Sequence, residues 1–248
     1  MGGLVNVERD GPCVWVFLNR PEKRNAIDAA LQREVVDRLE EVEKDSEARV
    51  VMLSGRGPAF CSGHDVNEWV GLDEDLPLLP RGPNPMTAVI RRMPQIVISV
   101  VNGPAVGEGN DLALICDMVV AADTATFSDL HLIRGMVPSG GSWLLTRGLG
   151  PKLALEAFTT GRSFSAREML DARMINSVVP AARLREEAQR LADAVLDCPR
   201  LALVFTKRAI SKGMEERLMD TLEFVQYARS ASTRHADVAA GATAFLNG

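Results

Sequence analysis

Two acids, two histidines and the glycines around them carry most of the chemistry that this chain can offer. The stretch GPAVGEGNDLALICD (103–117) starts as a glycine-rich turn and becomes an apolar run interrupted by Glu108, Asn110 and Asp111. A strand ending at Val101, a turn across Asn102–Gly103–Pro104 and a helix starting near Gly107 would put unpartnered helix N–H groups at the mouth of a buried segment. Such a helix start suits an anion. Asp111 falls on the first turn, where the helix dipole stabilises a carboxylate; it either caps and faces water there or transfers protons. GEGNDL lacks the third glycine of a dinucleotide fingerprint, so a Rossmann site is excluded.

Two further segments hold candidate groups. In GRGPAFCSGHD (55–65) the glycines free a backbone that follows a strand, so N–H groups around Gly63 and His64 can point at a ligand; a tight loop needs the same glycines. In TFSDLHLIRGMVPSGG (126–141) His131 sits in apolar surroundings, where a lone histidine is either a satisfied core residue or a proton carrier.

The elements that must position these groups follow from the patterning. LVNVER (4–9) and CVWVFLN (13–19) around Asp10–Gly11 read as a β-hairpin, and NRPEKRN as a loop. After Asp28, a plausible N-cap, Leu31, Val35, Leu39 and Val42 recur at helical spacing as far as Asp45. RVVMLSG, IVISVV (96–101) and MVVAA are apolar strands alternating with helices near 86–93 and 108–116, which predicts a largely parallel sheet covered on its faces. WVGLDEDLPLLPRGPNP reads as an acidic, proline-rich excursion, either covering a site or merely solvated. Beyond Pro180 helical patterns fill 181–197, 199–212, 215–232 and 234–246, a tail expected to pack on something else such as a neighbouring subunit.

Composition removes several classes of function. The chain has 248 residues, 46% hydrophobic and 25% charged, enough for one large core or a core with an appendage. A net charge of −5, with only the pairs Arg91–Arg92 and Lys207–Arg208 read as solvated helix faces, argues against nucleic acid. The N-terminus has no signal-like segment and no apolar run reaches about 18 residues, so no membrane partner and a cytoplasmic location are expected. Cys13, Cys61, Cys116 and Cys198 are widely spaced and read as buried free thiols, and with three scattered histidines no metal site is expected.

Taken together, RPEKRNAI (20–27), GPAFCSGHDV (57–66), NGPAVGEGNDLALICDMVVAADTATFS (102–128), GMVPSGG (135–141), TGRSFSAREMLDARMINSVVP (160–180) and the terminal AFLNG resemble, in order and spacing, the enoyl-CoA hydratase/isomerase, or crotonase, family. The resemblance implies an α/β fold: a spiral of repeated ββα units over 1–197, and a helical trimerisation region over 198–248. It implies a homotrimer, often stacked into a dimer of trimers. The substrate is implied to be an acyl-CoA thioester, with coenzyme A as part of it and no permanently bound cofactor. By motif position, the backbone N–H groups of His64 and Glu108 serve the thioester oxygen. Lys23, Arg24 and Ala26, with Ser62, Asp65 and Val66, fall at the coenzyme.

Three departures bear on the reaction. Glu108 replaces a usual glycine, so its side chain either points away or adds an acid. Family hydratases carry glutamates at the positions of Asp111 and His131, and the shorter Asp111 draws its carboxylate back by roughly 1.5 Å. An Asp/His pair can still move protons, as hydration and double-bond isomerisation both require. Hydrolysis of a thioester or a C–C bond on the same fold stays open, although Gly140 stands where the family's hydrolases carry an aspartate; so does acyl-CoA binding without turnover. No G-x-S-x-G elbow supports a covalent serine route.

Overall fold

The computed structural model describes residues 3–69, 84–138 and 140–212, together with residues 243 and 246. The hairpin forms as expected: β1 (Val5–Asp10) and β2 (Cys13–Leu18) pair antiparallel, with Gly11 at φ 56° in the turn. β3 (Val50–Gly55) and β4 (Ile96–Val101) are buried at every position, as β2 is, because both faces of the sheet are covered. With β6 (Met118–Ala122) and β9 (Ser177–Val179) they form a six-stranded sheet ordered β1-β2-β3-β4-β6-β9, parallel from β2 onward.

A second sheet of three very short strands, β5 (Ala105–Val106), β7 (Thr126–Ser128) and β8 (Phe164–Ser165), stands apart from the first. Each turn of the chain lays one strand in the large sheet, a few residues in the small one, and then a helix. The first such turn runs through β3, the Cys61 bridge to Ala105 and α2 (Pro85–Arg92); the next through β4, β5 and α3 (Glu108–Leu114). The third runs through β6, β7, α4 (Gly141–Leu149) and α5 (Pro151–Thr160). This is the ββα spiral that the family resemblance implies.

α1 (Ala29–Lys44) starts at Asp28, whose carboxylate accepts the Leu31 N–H at 2.7 Å. Its Leu31, Val35, Leu39 and Val42 are all buried, each contributing about 1.5–3 kcal/mol. A Ser165–Glu168 capping box starts α6 (Ala166–Asp171). The segment expected as one helix over 181–197 opens as a 3-10 turn, Ala181–Arg183, before α7 (Leu184–Leu196), which lies along β3, β4 and β6.

A further helix spans 200–212. Here two expectations fail. Lys207 is buried, not solvated: its ammonium donates to Asp117 Oδ2 at 2.7 Å and to the carbonyls of Gln95 and Ile90 at 2.7 and 3.1 Å. Cys198 is exposed, because it falls in the short link between helices, while the other three cysteines are buried. Of the excursion expected over 69–85, residues 70–83 lie outside the described residues, as do the helices expected at 215–232 and 234–246 apart from helical positions 243 and 246. Among the described residues no helix is long and apolar enough to cross a membrane, and no cluster of three or more metal-binding side chains occurs.

Candidate active site

The site is built where the segment after β3 meets the start of α3. Cys61 pairs in parallel with Ala105, so the Cys61 carbonyl accepts the Val106 N–H at 2.9 Å. Three residues on, His64 pairs in parallel with Ile27: Ile27 N–H donates to Gly63 O at 2.7 Å and Asp65 N–H donates to Ile27 O at 2.8 Å. In that pattern the His64 N–H and C=O point away from Ile27. Gly63, at φ 89°, turns the chain there, and a Cβ on it would lie 2.7 Å from Val106 O and 3.5 Å from the Glu108 nitrogen. The backbone around His64 and the backbone N–H of Glu108 are thereby brought together.

All seven residues of α3 are buried. Its hydrogen-bond ladder opens with Asp111 N–H donating to Gly107 O at 3.0 Å, so Glu108 N–H lies ahead of the ladder. Gly107 has φ 54°, and a Cβ there would meet the His131 ring at 3.2 Å. Gly109 rests on the Cys61 carbonyl, which a Cβ would approach to 2.3 Å. Below, burial pushes the Cys61 thiol up to about 12, so it stays a neutral packing group.

His131 follows β7 and is 4% exposed. Asp129, fully buried, accepts both the His131 backbone N–H at 2.9 Å and the ring at Nδ1, 2.8 Å away. A proton on Nδ1 would be donated to that carboxylate. Asp111, 3% exposed, reaches the same space from α3. A Cβ on Gly141, the first residue of α4, would lie 2.6 Å from Asp111 Oδ1 and 2.8 Å from Asp129 Oδ2. A side chain at Gly141 would push one or both carboxylates from where they stand. Burial holds the nearby Arg134 guanidinium below its ordinary value, against the pull of Asp129.

Glu108 answers the question that its replacement of a glycine raised. Its carboxylate is 3% exposed and lies 3.4 Å from His64 Nε2, and it also accepts a hydrogen bond from the Asn84 side-chain amide. Asn84 is itself fixed, because its Oδ1 caps α2 by accepting from Met86 and Thr87.

The expected coenzyme residues lie on two segments hydrogen-bonded to each other. Lys23 and Arg24 are exposed at the end of the 3-10 turn Pro21–Lys23, and Ser62 N–H donates to Arg24 O at 3.0 Å. Ala26 and Val66 are buried alongside. Asp65 works differently: it pairs with Arg20 at 3.3 Å and accepts from Asn67. Desolvation raises the Asp65 pKa, yet these bonds hold it below its usual value.

Sequence reasoning passed over two residues. Asp129 has a legible signal, an acid two residues before a histidine. Asn25 has the weaker signal of an asparagine in a turn: fully buried at φ 58°, it donates to the carbonyls of Arg56, Ala59 and Phe60 and ties the two loops together.

Comparison with known proteins gives a consistent picture. The sequence profile of the enoyl-CoA hydratase/isomerase family matches residues 9–247. The 1,2-epoxyphenylacetyl-CoA isomerase of Escherichia coli (strain K12) is 34% identical over 92% of this chain and 90% of its own length. The 2,3-dehydroadipyl-CoA hydratase of the same organism is 32% identical over 86% of this chain and 83% of its own. Among solved structures, an enoyl-CoA hydratase from Mycobacterium avium subsp. paratuberculosis K-10 superposes with a TM-score of 0.87 at 27% identity, covering 99% of this chain and 96% of the other.

Proposed function

Because the chain belongs to the enoyl-CoA hydratase/isomerase family, we propose that it moves protons on an acyl-CoA thioester whose carbonyl oxygen rests on the backbone N–H groups of His64 and Glu108. Taking a proton from the carbon beside a thioester, or adding water across the neighbouring double bond, throws negative charge onto that oxygen. Two fixed donors stabilise it by about 3–4 kcal/mol each.

The observation that carries the reading is the Asp129–His131 dyad at 2.8 Å, lying against Gly107 and sharing the space before Gly141 with Asp111. His131 Nε2 takes the proton and returns it; Asp129 fixes the tautomer and the ring; Asp111 is the second acid–base group. Imidazole and both carboxylates gather in one place, which suits shuttling one proton between two carbons of the acyl chain, the isomerase reaction. Hydration is the second reading, supported by Asp111 standing on the first turn of α3 in the place of a hydratase glutamate. Lys23, Arg24 and Ser62 form the rim that receives the coenzyme. The helix at 200–212, clasped to the core by Lys207 yet exposing Leu201, Phe205 and Ile210, supports self-association through the C-terminal region.

The test incubates the protein with a panel of unsaturated acyl-CoAs in H₂O and in D₂O and follows product mass and double-bond position. Isomerisation leaves the mass unchanged in H₂O with the bond moved; hydration adds one water with the thioester intact. His131→Ala and Asp111→Asn are each expected to lower turnover by about 10²–10⁴-fold. Full activity in both variants would remove the role assignment, and release of free coenzyme A would replace the reading with hydrolysis.

A further inference from the structure

The two residues whose N–H groups are assigned to the thioester oxygen also touch each other through their side chains, His64 Nε2 to Glu108 Oε2 at 3.4 Å. The proton transfers assigned above to Asp111, His131 and Asp129 make no use of this contact. A side chain leaves the backbone one atom from its own nitrogen, so bond lengths alone keep both charged ends within roughly 6 Å of the donor nitrogens. Glu108 is 3% exposed and the His64 side chain 15%, so water screens neither well. A carboxylate in that position opposes the negative charge that its own N–H is meant to stabilise. The imidazole, with Nε2 facing that carboxylate, can offset the opposition by donating to it. The Asn84 amide adds a second donor to the same carboxylate from the start of α2. The contact also joins the segment after β3 to α3, the two pieces of backbone that must keep a fixed separation.

Resting on the thioester reading above, we propose that His64 and Glu108 form a positioning pair for the oxyanion site, the imidazole facing the Glu108 carboxylate and drawing its charge away from the thioester oxygen. The pair thus makes an acidic side chain tolerable beside a site for negative charge.

The test uses the full-length protein with butanoyl-CoA carrying ¹³C at the thioester carbonyl, a saturated ligand that can be neither hydrated nor isomerised. Isotope-edited infrared spectroscopy reads the polarisation of the bound carbonyl, and kcat on the best substrate of the panel reads the reaction. Wild-type protein is expected to shift the carbonyl stretch to lower frequency. His64→Gln should lose much of that shift and about 30-fold in kcat, while butanoyl-CoA affinity changes by less than about threefold. Adding Glu108→Gln to that variant should restore most of both, a rescue that loss of packing would not give. Glu108→Gln alone, nearly isosteric, should keep or enlarge the shift, and it decides the matter if His64→Gln does not fold. An unchanged stretch in His64→Gln, a double variant no better than it, or a diminished shift in Glu108→Gln overturns the pair while leaving the thioester reading standing. Butanoyl-CoA that fails to bind, or binds with an unshifted carbonyl, overturns the oxyanion site and the pair with it.

Discussion

Among the described residues charge is buried in two places and treated in opposite ways. Under the helix at 200–212, Lys207 meets one carboxylate and two carbonyls, so its three N–H donors match three acceptors. Asp117 in turn accepts the Val97 backbone N–H at 2.8 Å. Around the start of α3, by contrast, three buried acids, Glu108, Asp111 and Asp129, crowd against two histidines, and Asp129 Oδ2 has no hydrogen-bond partner among the described residues. A saturated cluster holds helices in place. A buried carboxylate oxygen without a donor, as at Asp129, costs stability.

If the Lys207 cluster is structural, Lys207→Ala should destabilise the fold by about 1–3 kcal/mol, since it leaves the Ile90 and Gln95 carbonyls without their donor, while kcat of the remaining folded protein is unchanged. Chemical denaturation with activity measured in parallel checks this; a large loss of kcat with full stability would erase the distinction. The mirror experiment is Asp129→Asn. It should cost about 100-fold in kcat by releasing the His131 tautomer, equivalent to about 2.7 kcal/mol, with a melting temperature unchanged or higher. A fall in stability with normal kcat would make Asp129 another Lys207-type anchor.

The smallest effect sharpens the contrast from the surface. Glu168 in the capping box is held down to about 2 by the Ser165 backbone N–H, then by Arg162 and the Ser165 hydroxyl. Its folded-state value lies below the ordinary 4.5, so its contribution is complete above that value and is lost as pH falls toward 2. Glu168→Gln should therefore lower the melting temperature slightly at pH 7 and hardly at all near pH 2, with kcat unaffected. An equal loss at both pH values would mean that the carboxylate charge is not what α6 uses.

Much of the scaffold was legible because it rests on local rules. Asp10–Gly11 set the hairpin, Asp28 with Leu31, Val35, Leu39 and Val42 set α1, and IVISVV set β4 to the residue. The small sheet was not legible: strands of two or three residues are too short to show a period of two, and their pairing spans tens of residues. α4 and α5 were missed for a related reason, since glycines at 141, 148 and 150 mask their periodicity. The family resemblance supplied the site positions at His64, Glu108, Asp111 and His131, which composition and spacing alone left as alternatives.

The sequence by itself determined which segments fold as strands and helices and which residue types stand at their ends, because propensity, capping and periodicity act over a few residues. Only the tertiary structure decided that Asp129 orients His131, that Gly141 admits two carboxylates, that Glu108 turns to His64 and Asn84, and that Lys207 lies beneath its helix. Most of these contacts join residues far apart in the chain. Their charges are held by burial and a low local dielectric, conditions that exist only once the spiral has closed around them.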